Sequence, residues 1–312
     1  MKTSIAVIGQ GFVGGSLTTV LSERGIDVYA YDKAGKYAKG ALPTYGDITV
    51  VSAFPNSISE LVSHFESYPT SSKIYFVCLP TPMYEDGSAD LSIVEGVLDE
   101  LSKIPGDRIA VVKSTVPPGS TEGWNKKYEE TGLHVVFNPE FLTEANALDD
   151  MRNQNRIILG GPRPWINQVK QIFSTAFPKV PIIKTSSTTA EMVKYTINNF
   201  LTVKVAFANE MAQICEALDS KGLNIDYDKV VEYATLDPRL GTSHWSVPGP
   251  DGHRGFGGHC FPKDVNAMIN VAQDLGVKPE VLKSSWKKNL EVRKDRDWEK
   301  QIGRAVSKKM KS

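Results

Sequence analysis

The sequence predicts an α/β fold: a doubly wound parallel-sheet domain, followed by a long connecting helix and an all-helical domain. Three observations predict it. A glycine-rich turn, Gly9-Gln10-Gly11-Phe12-Val13-Gly14, follows a short apolar run and opens a helical pattern. Strand-like apolar runs then alternate with helical patterns to about residue 187, as they do when helices cover both faces of a parallel sheet. From residue 188 to 219 there is neither proline nor glycine, and apolar residues occupy more than one face. That stretch reads as one largely buried helix, about 48 Å long at 1.5 Å per residue.

The elements follow in order. Residues 4–8 form the first strand, and the helix after the glycine turn runs to about Arg24, where Gly25 stops it. Residues 28–31 make the second strand, closed by Asp32. Further strands are expected at 48–51, 74–77, 109–112, 135–137, 157–159 and 182–183, with helices at 57–65, 91–101 and 165–173 among them. The sheet domain spans residues 1–187, and residues 188–312 hold the long helix and the helical domain. Within the latter, helices are expected at 224–234, at 262–275 and from 279 to the C-terminus. Residues 235–255 form a long loop rich in Gly and Pro that contains Arg239, His244 and His253. Loops of that length in compact domains tend to be functional or disordered.

Strand, glycine turn, helix, strand, acid is the Rossmann-type order. Glycines allow the tight turn and the approach of a pyrophosphate to the helix N-terminus, and an acid binds ribose hydroxyls. Asp32 stands 18 residues after Gly14, which lifts a weak motif to a strong one. Asp32 disfavours a 2′-phosphate, so the expected cofactor is NAD. Ligands of such sheets gather at the loops beyond the strand C-termini. Three loops follow strands directly: Leu79-Pro80-Thr81-Pro82, Lys113-Ser114-Thr115-Val116-Pro117-Pro118-Gly119, and Asn138-Pro139-Glu140-Phe141-Leu142-Thr143-Glu144.

Composition narrows the partners. The 36 basic residues balance the 36 acidic ones, which gives no global reason to expect nucleic acid or a membrane surface. The balance is uneven: residues 278–312 carry 12 Lys or Arg against 5 Asp or Glu. That basic tail reads as a solvated helix. Cys78, Cys215 and Cys260 are few and odd in number, against a disulfide framework and for a reducing compartment. No signal peptide and no membrane-length apolar run is seen, so a cytoplasmic location is expected.

One cysteine has an unusual setting, Gly255-Phe256-Gly257-Gly258-His259-Cys260-Phe261-Pro262-Lys263-Asp264. Pro262 suits the first turn of a helix, which puts Cys260 at a helix N-terminus. There the helix dipole and Lys263 favour a thiolate. Lys194 and Asn198 lie four apart on the long helix and so share a face. A lysine in so apolar a helix either snorkels or has a task.

Together these segments resemble the UDP-glucose/GDP-mannose dehydrogenase family, most closely its UDP-glucose-oxidising members. The resemblance rests on Gly9 to Gly14, Lys113-Ser114-Thr115-Val116-Pro117, the run from Asn138 to Glu144, Ala190-Glu191 through Lys194 and Asn198, Asp237-Pro238-Arg239-Leu240-Gly241, and Gly255 to Asp264. It implies oxidation of a nucleotide-sugar primary alcohol to the carboxylate, with two NAD and one water. It implies that Cys260 is the nucleophile, forming first a thiohemiacetal and then a thioester. Glu140 then assists the hydrolytic water, Lys194 and Asn198 stabilise the reacting oxygen, Asp264 works with a water and that lysine, and Thr115 lies near cofactor and water. It further implies cofactor contacts from Asp32, Lys33, Leu79, Pro80, Thr81, Pro82, Ser114, Thr115, Glu144 and Lys263 beside the glycine turn. Substrate contacts fall to Glu140, Phe141, Leu142, Lys194, Asn198, Arg239, Phe256, Gly257 and Gly258. No metal is implied. A homodimer through the long helix is.

The family's third, UDP-binding domain has no counterpart in these residues, and the insertion at 247–254 is expected to replace some of its contacts. Two other readings stand beside this one. A two-electron dehydrogenase of the 3-hydroxyacid type would need no cysteine nucleophile, and a non-catalytic NAD- or sugar-binding protein would release no NADH.

Overall fold

The computed structural model describes residues 3–33 and 57–308. The chain forms two compact units. One comprises Met1–Thr81 and Leu91–Lys194, the other Pro82–Asp90 and Tyr195–Ser312.

The first unit is built on a sheet with seven strands among the described residues. These are β1 (Ser4–Ile8), β2 (Asp27–Tyr31), β3 (Ser71–Val77), β4 (Arg108–Val112), β5 (Leu133–Phe137), β6 (Ile157–Gly160) and β7 (Ile182–Thr185). Their order is β2-β1-β3-β4-β5-β6-β7. The strand expected at 48–51 lies outside the described residues. Helices α1 (Phe12–Glu23), α2 (Ile58–Glu66), α3 (Ser92–Ser102), α4 (Ser120–Lys127), α5 (Ala147–Arg152) and α6 (Trp165–Ala176) cover the sheet. Period-2 alternation sorts the strands between two cores. Ala6, Ile8, Ala110 and Val112 face α2, α3 and α4. Ile5, Val7, Ile109 and Val111 face α1 and α6. This is the double winding that the alternating pattern predicts.

The expectation of a purely parallel sheet needs one correction. β5 and β6 meet antiparallel, at the single pair Phe137–Gly160. Between them stand a 3₁₀ turn, Glu144–Asn146, and the six-residue α5, in place of the longer helix usual in a parallel crossover. Two short helices, α4 and α5, are absent from the sequence reading. α4 is mostly polar, and its amide donors are met from outside the helix, as described below.

The second unit contains most of α7 (Ser187–Asp219), a helix of 33 residues, with α8 (Tyr227–Ala234), α9 (Phe261–Asp274) and α10 (Glu280–Val292). α8 starts later than the expected 224, because Asp226 caps it by accepting from the amides of Asp228 (3.0 Å) and Lys229 (3.4 Å). The expectation of one helix from 279 to the C-terminus is also corrected. α10 ends at Val292, where Arg293 leaves helical angles (ψ 111°). A 3₁₀ turn, Asp297–Lys300, follows. Residues 302–306 then run beside Met83, whose amide donates to the Ala305 carbonyl at 2.8 Å. Proline and glycine mark most helix ends in this chain, but Arg293 ends α10 through side-chain bonds that no local sequence signal announces. No helix among the described residues is long and apolar enough to cross a membrane.

Candidate functional site

In the first unit, three glycines of the turn after β1 do different work. Gly9 adopts φ +89°, a conformation closed to most side chains, and its amide donates to the Tyr31 carbonyl at 2.8 Å. A Cβ at Gly14 would collide with the Gly9 carbonyl, so this glycine packs the helix onto the turn. A Cβ at Gly11 would meet nothing within 4 Å. The space in front of Gly11 is open, and Gly11, the N-cap residue of α1, brings no side chain into it. An exposed helix N-terminus with open space before it suits a pyrophosphate. Asp32, at the end of β2, accepts from the Gln10 amide at 2.8 Å and so stands beside the turn. The residues present therefore fit NAD. The Gln10 side chain faces inward, donating to the Val7 carbonyl (3.2 Å) and accepting from the Thr18 hydroxyl (3.1 Å). Phe12 and Val13 are half-buried in the first turn of α1, and Lys33 is exposed.

The loops after β3 and β4 are stitched together. The Ser114 hydroxyl accepts from the Leu79 amide (3.0 Å) and donates to the Leu79 carbonyl (2.7 Å). The Thr81 hydroxyl donates to the Thr115 carbonyl at 2.8 Å. Both expected cofactor loops thus meet, with Pro80 exposed and Thr115 half-buried. Glu144 is exposed at the start of the 3₁₀ turn Glu144–Asn146.

The loop after β5 holds a buried charge cluster. Lys194, in the second turn of α7, donates to the Glu140 carboxylate (3.0 Å) and to the Glu140 carbonyl (2.7 Å). The other Glu140 oxygen accepts from the Leu142 amide at 2.8 Å. Burial raises the Glu140 carboxyl, but the Lys194 charge, the Leu142 amide and the Lys113 charge outweigh it and hold it below its ordinary range. Glu140 is therefore an ionised carboxylate. Lys113 is buried as well and donates to the Asn138 side-chain oxygen at 2.7 Å. Burial pulls its ammonium down, while Cys78 and Glu140 pull it up; burial wins. Burial also pushes the Cys78 thiol up to about 12, so this cysteine is a poor nucleophile. The Phe141 ring lies 5.7 Å from the Lys194 ammonium and 4.4 Å from the Arg156 guanidinium.

Two residues of this unit escaped the sequence reading as contributors. Lys113 was seen only as part of a loop. Glu191, fully buried on α7, accepts from the amides of Gly119 (2.6 Å) and Thr121 (2.8 Å), which are the unpaired donors at the start of α4. A lone acid in an apolar helical turn was the available signal for it.

In the second unit, Cys260 is the N-cap residue of α9, half-buried, with Pro262 in the first turn, as the sequence predicts. Asp264, 1 % exposed, accepts from Lys263 (2.5 Å) and from the Asn198 side-chain amide (2.6 Å). Asn198 and Asp264 are thus brought together, and Lys263 is committed to Asp264. Phe256 is a core side chain, packed among Val265, Ile269 and Trp286. The Gly258 amide beside it donates to the Asp297 carboxylate at 2.8 Å. Arg239 is exposed and bonded to its neighbour Asp237.

Comparison with known proteins agrees with both units. Residues 3–176 match the NAD binding domain of the UDP-glucose/GDP-mannose dehydrogenase family, and residues 188–291 match that family's central domain. The chain is 32 % identical over 300 residues to the UDP-glucose 6-dehydrogenase of Rickettsia bellii, covering 92 % of this chain and 67 % of that protein. A UDP-glucose dehydrogenase structure from Pyrobaculum islandicum superposes with a TM-score of 0.75 at 29 % identity, over 93 % of this chain and 68 % of that one. A ternary complex of GDP-mannose dehydrogenase from Pseudomonas aeruginosa does so with a TM-score of 0.64 at 26 % identity, over 92 % and 68 %. The chain spans about two thirds of the length of these relatives. From the nucleotide turn, the buried Glu140–Lys194 pair, the Cys260 cap and these matches, the chain belongs to the UDP-glucose/GDP-mannose dehydrogenase family.

Proposed function

We propose that these residues carry the chemistry of an NAD-dependent oxidation of a nucleotide sugar, UDP-glucose to UDP-glucuronate, through a covalent cysteine intermediate. The observation that carries the reading is the half-buried Cys260 thiol at the N-cap of α9, where the helix N-terminus favours a thiolate. NAD, held by the glycine turn and Asp32, supplies acceptance of two electrons as hydride in each of two rounds. The sugar alcohol carbon first becomes an aldehyde. The Cys260 sulfur adds to it, forming the C–S bond of a thiohemiacetal whose oxygen carries the developing charge. Lys194 and Asn198 are assigned that oxygen, since a cation and an amide donor are the groups an oxyanion needs. Loss of the second hydride leaves a thioester. Water then attacks the acyl carbon, the C–S bond breaks, and carboxylate and thiol are released. Glu140, ionised and buried, is the base assigned to this water, and Asp264 the acid residue that works with it. Covalent capture keeps the aldehyde from escaping between the two oxidations.

The same reading includes a cytoplasmic homodimer formed through α7, whose Phe200 (65 % exposed), Phe207 (50 %) and Ile214 (46 %) recur at seven-residue spacing. The test is NADH absorbance with a limiting amount of UDP-glucose. Two NADH per sugar are expected, with Cys260→Ser stalling before carboxylate release. One NADH per sugar, unchanged in Cys260→Ser, would sink the proposal.

A further inference from the structure

The segment after α10 builds the conformation of the turn that presents Cys260. Gly255 and Gly258 both adopt φ +71°, so this turn has no intrinsic preference for one shape. Something outside it must choose. Asn289, fully buried on α10, grips Phe256 from both sides: its oxygen accepts from the Phe256 amide (2.7 Å) and its nitrogen donates to the Phe256 carbonyl (3.0 Å). The Asp297 carboxylate accepts from the Gly258 amide at 2.8 Å. Its other oxygen accepts from Arg293 at 2.9 Å, and the same guanidinium nitrogen reaches Asp251 at 2.8 Å. The Arg293 side chain is only 2 % exposed and also donates to the Asp295 carbonyl at 2.9 Å, so the lever is rigid. A Cβ at Gly255 would strike Asn289, and one at Gly257 would strike Arg293 and Asp297. The turn and the clamp therefore fit each other without spare room.

We infer that Asp297, held by Arg293, is a positioning residue: through the Gly258 amide it holds the turn that sets Cys260 at the N-cap of α9. Arg293 and Asp297 lie beyond residue 291, where the match to the family's central domain ends. The inference rests on the reading of Cys260 as the nucleophile. Asp297 reaches no reacting atom in it. Loss of the clamp frees the turn, and Cys260 leaves the position in which the helix N-terminus favours its thiolate.

The test compares Asp297→Ala, Asp297→Asn and Arg293→Lys with the parent protein and with Lys300→Ala, which removes an exposed ion pair in the same segment. Alkylation of Cys260 by iodoacetamide is followed at fixed pH by peptide mass spectrometry, and kcat and the KM for NAD are measured alongside. In Asp297→Ala, alkylation is expected to slow about tenfold, through loss of thiolate. Its kcat falls on the order of a hundredfold, as about 1 Å of misplacement can cause, with the KM for NAD unchanged. Asp297→Asn keeps an acceptor for the Gly258 amide and recovers part of both rates. Lys300→Ala behaves as the parent. If Asp297→Ala does not fold, the graded losses in Asp297→Asn and Arg293→Lys decide. Cys260 alkylation as fast as in the parent, or faster, in folded Asp297 variants overturns the inference. Alkylation needs no turnover, so a parent protein inactive on UDP-glucose would refute the proposed function and leave this measurement standing.

Discussion

Glu140 and Lys194 form an ion pair at 3.0 Å with both side chains buried. Taking two charges out of water is expensive, and the pair is retained because each satisfies the other. Breaking it by Glu140→Gln leaves the Lys194 ammonium buried without its counter-charge and is expected to cost about 3–5 kcal/mol. Denaturant unfolding at pH 7 measures this. The pH dependence has a defined sign. The folded Glu140 carboxyl titrates below its ordinary 4.5, so its contribution is fully present above that value and is lost as pH falls through the lower folded value. The stability gap between parent and Glu140→Gln should therefore narrow below pH 4.5, and a gap that widens on acidification would contradict the assignment. The cysteines differ for the same kind of reason. Cys78, whose thiol burial pushes to about 12, should resist iodoacetamide at pH 8 in the native protein, while Cys260 reacts. Peptide mapping after a short exposure distinguishes them.

At the scale of elements, the glycine turn separates binding from folding. Gly11→Ala adds a methyl to open space, so stability should stay within about 0.5 kcal/mol while NAD binding weakens, because the pyrophosphate loses its approach. Gly14→Ala drives a methyl into the Gly9 carbonyl and should destabilise the unit by about 1–3 kcal/mol as an overpacked site. Thermal melting with calorimetric NAD titration separates the two outcomes, and equal losses of stability would refute the distinction. The start of α4 makes a similar point. Its donors are met by Glu191 from α7, so Glu191→Ala leaves two amides without their acceptor, at about 1–3 kcal/mol each where they are buried. Hydrogen exchange at Gly119 and Thr121 should accelerate in this variant.

At the scale of the whole molecule, α7 runs without a break for 33 residues, about 50 Å. Its exposed Phe200, Phe207 and Ile214 make one apolar stripe that water does not favour. In the proposed homodimer a second copy covers it. Phe207→Asp is then expected to yield a monomer in sedimentation velocity, with the far-ultraviolet circular dichroism of the parent retained. A parent protein that sediments as a monomer at micromolar concentration would rule the dimer out.

Elements whose signal is periodic were legible in the residues themselves. The strands bounded by apolar runs, the glycine turn with Asp32, the long α7 and the cap position of Cys260 each depend on spacing within a few residues, and spacing is what a sequence displays. The placements of Cys260 and Lys194 were legible because a cysteine after a glycine turn and a lysine in an apolar helix stand out from their surroundings. What the sequence could not show depends on partners far away along the chain. The antiparallel pairing of β5 with β6 is made between Phe137 and Gly160, and Arg293, at the end of α10, bonds to Asp251 across 42 residues. Glu191 meets α4 across 70 residues, and Asn289 meets Phe256 across 33. Local propensity carries no record of such bonds. They form only when packing has already brought two segments together, so the sequence determined the elements and where Cys260 and Lys194 stand on them, and the tertiary structure decided what holds them in place.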